Sequence, residues 1–235
     1  MGNLVDMGVS VLSQAERRVE IAAQNLSNAT TPAYKRRVAF SALVEATNSQ
    51  SAPLPRVAAA IDFRNGKLVE TGNPYDLALS GPGYFAVRYD DRISYTRQGQ
   101  FSADADGRLI DGRGGVLQFA NGSDAMVESD KFVVGSDGAV TEAGMLRGRI
   151  GVFGADDQAA LEASDGGFSA GSTSLTLLDD AAVQQGAYEA SNVTTGDEMV
   201  LMMEALRRAE SGQRVINVYD DLMGRAVTAF GENVR

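Results

Sequence analysis

Two heptad-spaced apolar seams, one at each end of the chain, restrict what this sequence can fold into more than any other feature. At the N-terminal end Val5, Gly8, Leu12, Ala15, Val19, Ala22 and Leu26 recur at alternating spacings of three and four, which places them along one stripe of a helix. The large members (Val5, Leu12, Val19, Leu26) alternate with the small ones (Gly8, Ala15, Ala22), so a partner helix can approach closely. Thr30-Thr31-Pro32 follows, and because the residue before a proline avoids helical backbone, the helix is predicted to stop near Asn25-Leu26-Ser27-Asn28. The C-terminal seam runs through Met199, Met202, Leu206, Ala209, Gln213, Ile216, Asp220, Met223, Val227 and Phe230. Thr195 and Glu198 have the spacing of a capping box at its start. A helix from Asp197 to Phe230 would be about 50 Å long at ~1.5 Å per residue, with Gly212 and Gly224 marking bends or close packing.

Two arrangements bury such stripes. In one, the helices pair within the chain and pack on a β domain. In the other, neighbouring subunits share the seams and build a filament or tube. Periodicity alone does not separate these, because both bury the same residues. Stripes of this length left bare on a monomer would aggregate.

Between the ends the texture changes to short apolar runs broken by Gly, Asp and Ser. Strands are predicted at Leu77–Leu79, Tyr84–Arg88, Ile93–Thr96, Leu109–Ile110, Val116–Phe119, Lys131–Val134, Arg149–Phe153 and Ser174–Leu178. The fold class is therefore α+β: N- and C-terminal helices (1–47 and 186–235) pair as a coiled-coil domain, and a mainly β domain (58–185) is inserted between them. The stretch 48–57, with Ser49, Ser51, Pro53 and Pro55, is predicted as a linker, and Ala163–Ser174 as a flexible surface loop.

Composition removes most chemistry. With 21 Lys and Arg against 31 Asp and Glu the net charge is −10, so a nucleic-acid backbone would be repelled. There is no Cys and no His, which excludes thiolate nucleophiles, disulfides, imidazole bases and the usual zinc and haem ligand sets. Ser102 to Arg113 has Asp104, Asp106, Gly107 and Leu109 where a calcium loop wants them, but Ser102 stands at its first ligand position and Arg113 at the place of its bidentate Glu; a Gly-turned hairpin is expected instead. Gly81-Pro82-Gly83 lacks the rest of any phosphate-binding motif and is predicted as a tight turn. Lys35-Arg36-Arg37 is expected to be a basic cluster on a solvated loop, and the acidic pairs Asp179-Asp180 and Asp220-Asp221 imply no pocket. No catalytic, cofactor or metal site is predicted, nor a cleaved signal peptide or a membrane-spanning run.

Three segments carry a family resemblance. Asn25-Leu26-Ser27-Asn28-Ala29-Thr30-Thr31-Pro32-Ala33-Tyr34-Lys35 resembles the N-terminal signature of the axial proteins of the bacterial flagellum, the rod, hook and hook-associated subunits. Thr71 to Val87, Tyr95-Thr96-Arg97-Gln98-Gly99-Gln100-Phe101 and Asp106-Gly107-Arg108-Leu109 resemble the core strands of rod and hook proteins. Gln185 to Val193, followed by Glu198, Met199 and Arg207, is similar to the family's last motif. The motif residues are Asn25, Asn28, Pro32, Tyr34 and Lys35, then Thr96, Arg97, Gly99 and Phe101, then Ser191, Asn192 and Val193; Ala33 departs from the pattern, standing where Gly is usual.

The resemblance implies a structural subunit with no enzymatic activity and no cofactor. It implies assembly with other copies and other rod proteins, with the helices forming an inner tubular core and the β domain an outer layer. It further implies delivery through the flagellar type III export apparatus to the periplasm-spanning rod. The seam residues Val5, Leu12, Val19, Leu26, Met199, Met202, Leu206, Ile216, Met223, Val227 and Phe230 would be the core and interface contacts. Length and motif order look most like a proximal-rod member, with the distal rod the alternative. A soluble β-domain binding module on a helical stalk, or an acid-based hydrolase, would instead require a pocket that the sequence does not display.

Overall fold

A computed structural model describes residues 3–43, 55–158, 161–164, 167–170 and 175–232. The chain divides into two compact units. Unit 1 comprises Met1–Ala29, Arg36–Asp62 and Val193–Arg235; unit 2 comprises Thr30–Lys35 and Phe63–Asn192.

Unit 1 holds α1 (Asn3–Ser27), α2 (Thr195–Glu232) and an antiparallel ribbon of β1 (Arg37–Leu43) and β2 (Pro55–Ile61). The two helices pack against each other. Gly8, Ala15 and Ala22 are buried while Val5, Leu12, Val19 and Leu26 are half-buried, so the small residues of the N-terminal seam sit deepest. A Cβ added to Gly212 would meet the Gly8 carbonyl at 3.2 Å and the Leu12 amide at 3.3 Å, which fixes this glycine as a point of close helix approach. The strands were not legible: Val38-Ala39-Phe40 is a short apolar run without alternation, and it follows a basic run that reads as loop.

Unit 2 is all β. Its first half contains β3 (Leu68–Glu70), β4 (Leu77–Leu79), β5 (Tyr84–Tyr89), β6 (Arg92–Thr96), β7 (Phe101–Ala103), β8 (Leu109–Asp111) and β9 (Val116–Leu117). There follow β10 (Phe132–Val134), β11 (Ala139–Glu142), β12 (Met145–Arg149) and β13 (Val152–Ala155). The last strands are β14 (Glu162–Ser164), β15 (Gly167–Ser169), β16 (Leu175–Leu177), β17 (Val183–Gln185) and β18 (Ala187–Glu189). The main sheet runs β14-β15-β6-β5-β9-β8-β7, with β13 also on β5 and β16 on β13. β10, β11 and β12 form a meander, while β17 pairs with β4 and β18 with β3. The core gathers Leu77, Phe85, Val87, Leu109, Leu117, Val140 and Val152, the inward members of these alternating strands.

Two sequence expectations are corrected. The segment from Arg149 to Phe153 is not one strand, because the chain breaks between β12 and β13 and Ile150 bridges to Phe119. Part of the predicted surface loop is a hairpin, β14–β15, in which Phe168 is buried with its ring centroid 5.6 Å from both Phe63 and Tyr84. Its aromatic was the available signal inside a Gly- and Ser-rich context; residues 165–166 and 171–174 lie outside the described residues, as does 48–54 of the predicted linker.

Candidate functional site

The motif residues converge on two buried polar hubs, one in each unit. In unit 1 the hub is Asn25, near the end of α1. Its Nδ2 donates to the Arg37 carbonyl at 2.8 Å and to Glu198 Oε2 at 3.0 Å, and its Oδ1 accepts from the Arg37 amide at 2.8 Å. Arg36 Nε donates to Glu198 Oε1 at 2.5 Å. Glu198 lies in the first turn of α2, where a carboxylate also suits the positive end of the helix dipole. It is not the capping-box acid expected from Thr195, because both carboxylate oxygens are turned to Asn25 and Arg36. An amide is required at 25, since it alone presents a donor to Glu198 and an acceptor to Arg37 together. Asn25→Ala is expected to lower the stability of unit 1 by about 2–3 kcal/mol by stranding buried polar partners, measured as the urea midpoint of the helical circular-dichroism signal.

In unit 2 the hub is Glu189, at the end of β18. Its Oε1 accepts from Lys35 Nζ at 2.8 Å and from the Gly66 amide at 2.7 Å. Its Oε2 faces Arg97 Nε at 3.0 Å as an ion pair without an aligned hydrogen bond. Lys35 also donates to the Arg64 carbonyl at 2.9 Å. Arg97 donates to the carbonyls of Gly83 at 3.0 Å and Gly81 at 2.7 Å and to Asn65 Oδ1 at 2.6 Å. Burial pulls the Arg97 guanidinium below its ordinary value, opposed by Glu189. Burial also pushes the adjacent Tyr84 hydroxyl up to about 12, with Arg97 acting against that rise and Glu189 adding to it. The prediction that Lys35-Arg36-Arg37 is a solvated basic loop is therefore corrected: Lys35 is buried and Arg36 is held by Glu198.

The remaining motif residues support these hubs. Ala33 has φ of 57°, a left-handed conformation that glycine adopts more easily, and its amide donates to the Glu189 carbonyl at 2.8 Å. Ala33→Gly is expected to raise stability by up to ~1 kcal/mol, read as an increase in the thermal midpoint. Asn28 closes the last turn of α1 onto the Gln24 carbonyl at 2.9 Å. Asn192 donates to the carbonyls of Arg64 at 2.8 Å and Tyr34 at 3.3 Å. Ser191 and Val193, in the stretch of chain that follows β18 and precedes α2, are half-buried, and Pro32 is half-buried in the turn before Ala33. Thr96 Oγ1 accepts from the Gln98 amide at 3.0 Å, and Phe101 packs edge-on against Phe85 at 5.9 Å. A Cβ on Gly99 would fall 1.6 Å from the Leu77 carbonyl oxygen, so no other residue fits there. The calcium-like loop is a turn: Asp104 Oδ1 accepts from the amides of Asp106 at 2.9 Å and Arg108 at 2.8 Å, and its Oδ2 takes Arg108 Nε at 2.7 Å.

On α2 the buried members are Glu198, Ala205 and Gly212, with Met202, Ala209 and Ile216 half-buried beside them. These recur at spacings of three and four, one residue earlier at alternate positions than the stripe read from hydropathy. Met199, Leu206 and Met223 are exposed in the protomer, and the side chains of Val227 and Phe230 lie outside the described residues.

The class this defines is one of helices from both chain ends packed together, with a β unit formed by the chain between them and large apolar side chains exposed on both helices. Residues 78–142 match the profile described as the flagellar hook protein FlgE/F/G D1 domain, and residues 184–229 match that of the flagellar basal body rod FlgEFG protein C-terminal segment. The chain is 30% identical to the flagellar basal-body rod protein FlgF of Caulobacter vibrioides over 99% of both chains. It is 27% identical to FlgF of Escherichia coli over 96% of this chain and 97% of the relative. Identity to the rod protein FlgG of Bacillus subtilis is 27%, over 94% of this chain and 96% of the relative. The chain belongs to the flagellar basal-body rod protein family. That family is one of structural subunits, not enzymes.

Proposed function

We propose that the chain is a subunit of the proximal rod, in which α1 and α2 pair as a coiled coil and pack with those of neighbouring subunits into the tubular inner core. The β unit then forms an outer layer, and the assembly transmits torque from the motor to the hook. Its partners are other copies, other rod proteins and the type III export apparatus that delivers it across the inner membrane. The observation that carries this reading is apolar surface left bare on both helices: Met7 is 56% exposed on α1, and Val218 and Leu222 are 60% and 58% exposed on α2. Met199, Met203 and Leu206 add a second bare stripe on the upper half of α2. Side chains of this size each contribute roughly 1.5–3 kcal/mol when fully buried, so neighbours that cover them supply the stiffness of a drive shaft.

The proximal position follows the FlgF relatives; a place in the distal rod is the second reading, favoured by the match to FlgG. Electron microscopy of basal bodies from cells lacking the gene, beside complemented cells, tests the proposal. Rods that stop short with no hook or filament are expected, and the length of the stub separates proximal from distal. Intact flagella in the deletion strain would contradict it.

A further inference from the structure

Unit 1 carries two surfaces that complement each other and cannot meet within one copy. The first is a cavity of about 210 Å³ between α1, β1 and the start of α2. Its floor is apolar, from Ile21, Ala22 and Ala205, and its rim holds Arg18, Arg37 and Arg208. Among the described residues no carboxylate lies within ion-pair distance of these three arginines; Arg18 donates to Ser41 Oγ at 3.3 Å. Glu204 on the same rim offsets part of this charge, and Arg36 is already held by Glu198. Three arginines without carboxylate partners are a notable concentration in a chain of net charge −10.

The second surface is the opposite flank of α1. Asp6, Val9, Ser13, Glu16 and Glu20 recur at spacings of three and four and are all exposed. Glu16 and Glu20 stand two residues before and after Arg18, about 200° round the helix at ~100° per residue, so they point away from the cavity at the same height as its rim. Glu20 has a solvent-exposed pairing with Arg17 at 2.5 Å, which contributes little. Glu16 has no ion-pair partner among the described residues.

We propose that this cavity receives the Glu16–Glu20 flank of α1 from a second copy of the chain. The proposal rests on the rod reading. At about 210 Å³ the cavity has room for a glutamate side chain with its methylene stem on the apolar floor. Arginine forks on the rim then take the carboxylates in charge-assisted hydrogen bonds. Because donor and acceptor surfaces lie on opposite flanks of one unit, the contact is head-to-tail and repeats from copy to copy around an axis, closing a ring or continuing as a helix. Their equal height along α1 makes each step mainly lateral.

The absence of cysteine makes the test direct. Glu16→Cys and Arg208→Cys are combined in the full chain, expressed in the flagellated parent, and isolated basal bodies are treated with a short bismaleimide. Dimers and higher multimers of the chain are expected, at least tenfold above either single variant. Basal bodies that contain the chain yet yield no multimers, or that cross-link it only to a different protein, overturn the proposal. A chain absent from basal bodies of unmodified cells overturns the rod reading and this contact with it. Should the cysteine variant not assemble, Glu16→Arg with Glu20→Arg is expected to cut swimming at least tenfold, and adding Arg37→Glu with Arg208→Glu to restore it. Unchanged swimming in the first, or no restoration in the second with native helix content, overturns the proposal equally.

Discussion

Replacing Glu189 by alanine is expected to destabilise unit 2 by about 3–5 kcal/mol, because it leaves Lys35 and Arg97 facing each other without the buried carboxylate they share. The pair is not itself a large source of stability, since both cations and the acid were withdrawn from water to make it. What the hub does is tie four stretches distant in sequence: the Lys35 turn, the Gly66 loop, the Arg97 strand end and β18. The effect is measured as the denaturant midpoint of the β signal in the isolated chain. Glu189→Gln should fall between wild type and alanine, because an amide keeps an acceptor for one donor but not the charge. A midpoint unchanged by Glu189→Ala would show that water reaches the two cations and that the hub is not closed.

Leu206→Asp is expected to separate folding from assembly. Leu206 is 47% exposed in the protomer, off the face that α2 turns to α1, so the substitution should change the stability of the isolated chain by less than about 0.5 kcal/mol. In the assembled rod the same position would bury a carboxylate without a partner, and several such contacts per turn would prevent polymerisation. Cells carrying it should be non-motile and their basal bodies rodless, while Leu206→Met should remain motile. Motile cells with full rods would mean that this stripe faces solvent in the assembly too.

The contrast between the two helices shows how far hydropathy reaches. On α1 the seam read from spacing holds the buried Gly8, Ala15 and Ala22, because small residues there mark the closest approach. On α2 the large residues Met199 and Leu206 draw the stripe one position away from Glu198, Ala205 and Gly212, which are the buried ones. Hydropathy records that a side chain seeks burial without recording whether the partner is the same chain or another. Short apolar runs bounded by turn residues, such as β4 and β5, were legible, whereas β14 and β15 were masked by glycine and serine around Phe168.

The hubs were half legible. Lys35, Arg97 and Asn25 stand out through the family resemblance, and Glu189 and Glu198 fall within its last motif, but nothing in the motifs says which of them pair. Glu189 meets Lys35 across 154 positions and Glu198 meets Asn25 across 173, separations over which no local pattern in one sequence speaks. A buried acid in an acidic chain looks like any other carboxylate until the fold surrounds it.

The most direct measurement is a cryo-electron microscopy map of the rod in purified basal bodies at a resolution that separates side chains. α1 and α2 of each copy are expected in the innermost layer, with Met199, Met203 and Leu206 covered by neighbouring helices. Density that places these helices on the outside of the rod, or leaves that stripe facing water, would contradict this arrangement.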